Sequence, residues 1–83
     1  MRIISGKAKG YWMEFRDRLK ELRHARHLSQ KAVAKELKIS ERALQSYEYG
    51  ERFPDFQGLI HLADYFNVSL DYLVGRSDVR ERQ

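Results

Sequence analysis

From residue 13 the apolar positions recur at helical spacing. Phe15, Leu19, Leu22 and Arg26 fall on one stripe at intervals of three and four, with charges around the rest of the circle, which predicts a helix over 13–26. Ser29 offers a side-chain oxygen to the free amides of a second helix, 30–37, whose inner face is Ala32, Val33, Ala34 and Leu37. Lys38 and Ile39 make a tight turn. Ser40 caps a third helix, with Leu44, Tyr47 and Glu48 on its inner side and Gly50 just past its end. Pro54 keeps the residues before it out of a helix, and Asp55 caps a fourth, 56–66, carried by Phe56, Leu59, Ile60, Leu62, Ala63 and Phe66. Gly58 sits early in that helix at a cost of up to ~1 kcal/mol. Asn67 ends it. Ser69 caps a short fifth helix, 70–74, closed by Gly75. No stretch alternates with period two, and no segment repeats. The fold class expected is all-α: five short helices in a compact bundle, joined by connections of two to five residues.

The two ends read differently. Residues 1–12 hold Gly6, Gly10 and three basic residues without an apolar period, and are expected to form a flexible basic arm or an extension ahead of Met13. Residues 13–75 form the domain. Residues 76–83, RSDVRERQ, read as a polar, frayed tail.

Composition narrows the class. A chain of 83 residues has room for one small domain, which buries about 60–65% of its unfolded surface. Cysteine is absent, so no disulfide or thiolate–metal site is available. No apolar run approaches the ~18 residues of a membrane span, and the N-terminus lacks the apolar core of a signal peptide. A cytoplasmic protein is expected. Charge is polarised: residues 1–40 carry eleven Lys/Arg against four Asp/Glu, and residues 41–83 carry five against eight. A basic end suits a polyanion, and a plain solvated surface is the bland alternative.

The informative stretch is QKAVAKELKISERALQSYEY, residues 30–49. Two short helices joined by so tight a turn cannot lie antiparallel. They cross steeply, at ~90–120° in such motifs. The crossing needs a small residue at the contact, a hydrophobe in the turn and an apolar anchor on the second helix. Ala34, Ile39 and Leu44 supply them.

The run from Leu28 to Gly75 resembles the phage repressor and Cro family, the Xre-like regulators. The resemblance spans residues 15–75. It is carried by Leu28-Ser29-Gln30, Ile39-Ser40, Tyr47-Glu48 with Gly50, Pro54, and Val68-Ser69-Leu70-Asp71-Tyr72-Leu73. It implies a lambda-repressor-like helix-turn-helix domain that binds double-stranded DNA by sequence, with the third helix in the major groove. By position, Glu41, Arg42 and Ser46 match residues that read base edges, and an arginine there grips guanine with two hydrogen bonds. Gln30 matches a residue that holds a phosphate together with the helix's free amides. Ser40, Gln45, Tyr49 and Arg52 fall where the family touches backbone. Arg23 and Glu48 match a partly buried ion pair. The family usually has glycine where this chain has His27, Lys38 and Asn67. Histidine and asparagine tolerate the left-handed region, but lysine there costs ~1 kcal/mol.

The implied function is transcription regulation, as a repressor. A homodimer would read two half-sites ~34–36 Å apart. Tyr65, Tyr72 and Val74 make the last third apolar enough for core, with a self-association patch as the alternative. The arm residues Arg2, Lys7, Lys9, Tyr11 and Trp12 leave three roles open: following the DNA, covering a dimer interface, or neither. A protein-interaction module, such as an antitoxin or a partner of another regulator, is the competing class. RNA binding is weaker, since no strand presents aromatic platforms. His24, His27 and His61 lack the companions of a metal or catalytic site, and no phosphate loop or nucleophile elbow occurs, so no enzyme activity, metal or cofactor is expected.

Overall fold

A computed structural model describes residues 11–81. The helices are α1 (Tyr11–Ala25), α2 (Gln30–Leu37), α3 (Glu41–Tyr49), α4 (Phe56–Phe66) and α5 (Leu70–Leu73). Each of the last four starts on a side-chain oxygen. Ser29, Ser40 and Ser69 accept from Ala32, Ala43 and Tyr72 N–H at 3.0 Å, and Asp55 accepts from Gly58 N–H at 2.8 Å. Such a cap contributes about 0.5–2 kcal/mol.

The first four helices end alike. His27, Lys38, Gly50 and Asn67 have φ of 57°, 61°, 81° and 56°. The following N–H reaches back to a carbonyl of the last turn: Leu28 to Arg23, Ile39 to Ala34, Glu51 to Ser46 and Val68 to Ala63, at 2.9–3.2 Å. This 6→1 closure needs a left-handed residue at its corner. Only one of the four is glycine. In three cases the residue after the corner (Leu28, Ile39, Val68) turns into the core.

The core is Phe15, Leu19 and Leu22 of α1, Val33 and Ala34 of α2, Leu44 of α3, Leu62, Ala63 and Phe66 of α4, then Val68 and Leu73. Burying each large side chain contributes about 1.5–3 kcal/mol. α1 packs on α3 and α5, α2 on α3 and α4, and α4 on α5. Ala34 is buried, as expected of the small residue in the helix-turn-helix, and Ile39 packs against the core from the turn. Gly58 has a positive use in α4: a Cβ there would stand 3.0 Å from Pro54 Cβ and 3.2 Å from the capping Asp55 oxygen. Tyr65 and Tyr72 pack half-buried against the core.

Three expectations are corrected. α1 begins at Tyr11, inside the segment assigned to the arm; residues 1–10 lie outside the described residues. Arg26 is not on the buried stripe. The helix stops at Ala25, and Arg26 is exposed, donating to Tyr65 O and Phe66 O at 3.1 Å. Residues 76–80 do not fray. Ser69 N–H donates to Arg80 O at 2.9 Å, its hydroxyl donates to Val79 O at 3.1 Å, and Arg76 N–H donates to Asp71 O at 2.8 Å. Arg18 locks this strap to α1, donating to Tyr72 O, Ser77 O and Asp78 Oδ1 at 2.8–2.9 Å with its guanidinium 4.0 Å above the Tyr72 ring. Residues 82–83 lie outside the described residues.

Candidate nucleic-acid interface

α3 has two faces. Leu44 and Glu48 point inward and are buried. Glu41, Arg42 and Tyr49 are exposed, and Gln45 is half-buried between them. Residues 41, 45 and 49 are successive turns of one stripe, and Arg42 lies beside it at the N-terminal end. Ser40 is exposed; its oxygen accepts the Ala43 amide, and its hydroxyl hydrogen remains to donate outward. Arg52 is exposed just past the end of α3. Thus Glu41, Arg42, Gln45, Tyr49, Ser40 and Arg52 share one continuous edge of the molecule.

Ser46 differs. It is 8% exposed, too covered to offer a base much surface. The chain past Gly50 folds back on the end of α3, so that the Glu51 and Arg52 amides donate to Ser46 O at 2.9 and 3.3 Å.

Beneath α3 lies a charged network. Arg23 Nε donates to Glu48 Oε2 at 2.6 Å, and Arg23 Nη2 donates to Oε1 at 2.9 Å. Gln30 Nε2 donates to the same Oε1 at 3.0 Å, and Arg23 Nη1 donates to Leu28 O at 2.9 Å. The Arg23 and Glu48 side chains are 12% and 1% exposed. A carboxylate so buried is stable only with such partners. Gln30, half-buried at the start of α2, therefore stands beside α3 through Glu48.

Sequence reasoning missed how the arginines of α1, and Arg26 just past it, are used. Arg16 donates to Tyr49 O at 3.1 Å, at the end of α3. Arg26 reaches the end of α4, Arg18 the end of α5, and Arg23 the carbonyl of Leu28 before α2. Cations at helix C-termini offset the partial negative charge of unpaired carbonyls. Four of the eleven Lys/Arg in residues 1–40, Arg16, Arg18, Arg23 and Arg26, are therefore engaged by the fold's own carbonyls. The exposed lysines of α2 and its turn, Lys31, Lys35 and Lys38, remain for solvent or a polyanion.

The same order of helices is found in known proteins. A helix-turn-helix family model matches residues 19–73. The chain belongs to the helix-turn-helix family. Among curated relatives, it is 39% identical over 70 residues to the HTH-type transcriptional regulator ImmR of Bacillus subtilis, covering 84% of this chain and 55% of that one. It is 35% identical over 71 residues to the cryptic phage CTXphi transcriptional repressor RstR of Vibrio cholerae, covering 86% and 63%. A crystal structure of a transcriptional regulator from Listeria innocua superposes with a TM-score of 0.70 at 38% identity, covering 74% of this chain and 57% of that one. The helix-turn-helix chain spans little more than half the length of these relatives. No group of three or more His, Cys, Asp or Glu among the described residues is placed to hold a metal ion, and no described helix is long and apolar enough to cross a membrane.

Proposed function

We propose that this helix-turn-helix domain binds double-stranded DNA by sequence, with α3 in the major groove, and that it regulates transcription as a repressor. The carrying observation is the open edge of α3: Glu41 and Arg42 stand exposed at its N-terminal end, while Leu44 and Glu48 are buried and fix the helix in the core. Arg42 reads guanine through its two-pronged guanidinium, and Glu41 accepts from cytosine. Gln30, Ser40, Gln45, Tyr49 and Arg52 hold backbone on either side and set the register. Ser46, 8% exposed, offers a base little surface in this arrangement. The family membership and the regulators it resembles support the same reading.

The domain acts as a binder rather than an enzyme, in the cytoplasm, on paired half-sites as a homodimer. A dimer fits because one helix reads only a few base pairs, too few to define a site. Repression follows from occupancy: a protein filling the groove at a promoter excludes other proteins from it.

In vitro selection from random duplexes tests this. The expected product is a two-fold-related sequence with half-site centres one helical turn apart, protected in the major groove and lost steeply as salt rises. Enrichment of no sequence, or protection confined to the minor groove, would refute it.

A further inference from the structure

We infer that Glu48, though buried and out of reach of any ligand, is a positioning residue for the DNA backbone contact: its carboxylate takes one amide hydrogen of Gln30 and so turns the other outward, toward a phosphate. The inference rests on the DNA-binding reading above.

Gln30 Nε2 bears two hydrogens. One is held by Glu48 Oε1 at 3.0 Å, and no described hydrogen bond takes the second. The orientation is chemically forced. A glutamine amide can present either its NH2 or its carbonyl to a neighbour, but an ionised carboxylate only accepts. The NH2 therefore faces Glu48. Arg23 reinforces the arrangement twice, gripping the carboxylate through Nε and Nη2 and holding Leu28 O through Nη1. Leu28 precedes the capping Ser29, so one carboxylate on α3 sets both the entry of the chain into α2 and the direction of its first side chain. Its rotamers are already restricted before any contact, so binding a phosphate loses less entropy.

A neutral glutamine at 48 removes the constraint. It can donate as well as accept, the Gln30 amide can turn over, and a carbonyl facing a phosphate repels it. The substitutions Glu48→Gln and Gln30→Met should each weaken binding to a selected duplex about tenfold, the scale of one hydrogen bond to a charged group. The double variant should bind no worse than Glu48→Gln alone. Replacing the contacted phosphate with an uncharged methylphosphonate should weaken the wild type more than either single variant, since the α2 amides still face that phosphate in both variants. Thermal melting of each protein fixes an assay temperature at which all are folded.

A measurement on the wild type avoids dependence on a folded Glu48 variant. In the free protein, the Gln30 side-chain proton held by Glu48 should exchange with solvent more slowly by NMR than its partner on the same nitrogen, and only the partner should shift when the duplex is added. Additive losses in the double variant, methylphosphonate sensitivity unchanged in Glu48→Gln, or equal solvent exchange of the two Gln30 protons would overturn this inference while leaving DNA binding intact. A wild type that binds no duplex overturns both.

Discussion

Replacing Arg23 with alanine leaves the Glu48 carboxylate, 1% exposed, with a single neutral donor in Gln30. Removing one partner of a buried ion pair costs about 3–5 kcal/mol, because the other charge stays out of water without compensation. The geometry argues for that full range: two arginine nitrogens reach the carboxylate at 2.6 and 2.9 Å, and a third supports Leu28 O at 2.9 Å. Domains of this size hold roughly 4–12 kcal/mol in total. The variant should therefore lose about a quarter or more of its stability and melt about 12–40 °C lower, at roughly 4–8 °C per kcal/mol. The companion Arg23→Met with Glu48→Leu removes both charges at similar volume. It should fold within about 1–2 kcal/mol of the parent, since apolar replacement of a whole buried pair is often neutral. Urea unfolding followed by circular dichroism at constant pH gives both numbers. An Arg23→Ala variant that loses less than about 1 kcal/mol, or a double variant as unstable as the single, would refute the reasoning.

Further predictions follow from the backbone and the strap. Lys38→Gly should stabilise the protein by about 0.5–1 kcal/mol, because relief of a left-handed lysine at φ 61° exceeds the added freedom of the unfolded chain; Asn67→Gly should gain less, and thermal melts decide both. Gly75→Ala should destabilise by about 1–3 kcal/mol or more, since its Cβ would stand 2.2 Å from Glu14 Cβ, at φ +88°. Arg18→Ala should free residues 76–80, seen as faster hydrogen exchange at the Ser69 and Val79 amides while the α2 and α3 amides change less.

The helices could be read from the chain because local signals agreed. Ser29, Ser40, Asp55 and Ser69 stand just ahead of apolar periodicity, and each caps a helix there. Lys38 could be placed in the left-handed region only through the resemblance, since nothing intrinsic to lysine favours it. Periodicity alone pairs nothing across the 25 residues between Arg23 and Glu48; the resemblance suggested them. The strap escaped because RSDVRERQ has no apolar rhythm. Its anchors are the carbonyls of Tyr72, Ser77, Val79 and Arg80, which any residue carries. One signal was available: Arg18 lies between Phe15 and Leu22 on the buried side of α1, and a charge there needs partners. The low exposure of Ser46, 8%, was not legible either: nothing in a small polar residue on α3 signals how far the fold covers it. Net charge misled in part, because Arg16, Arg18, Arg23 and Arg26 serve carbonyls within the fold.

The central claim is that α3 reads DNA through its exposed N-terminal end, and one binding measurement tests it most directly. Fluorescence anisotropy compares a selected duplex with a scrambled one, for wild type and Arg42→Ala, over about 50 to 200 mM salt. The account predicts that wild type prefers the selected duplex, and that Arg42→Ala loses about 1–3 kcal/mol of that preference, roughly 5- to 150-fold, while keeping most of its affinity for scrambled DNA. Equal affinity of wild type for both duplexes, or a preference untouched by Arg42→Ala, would contradict it.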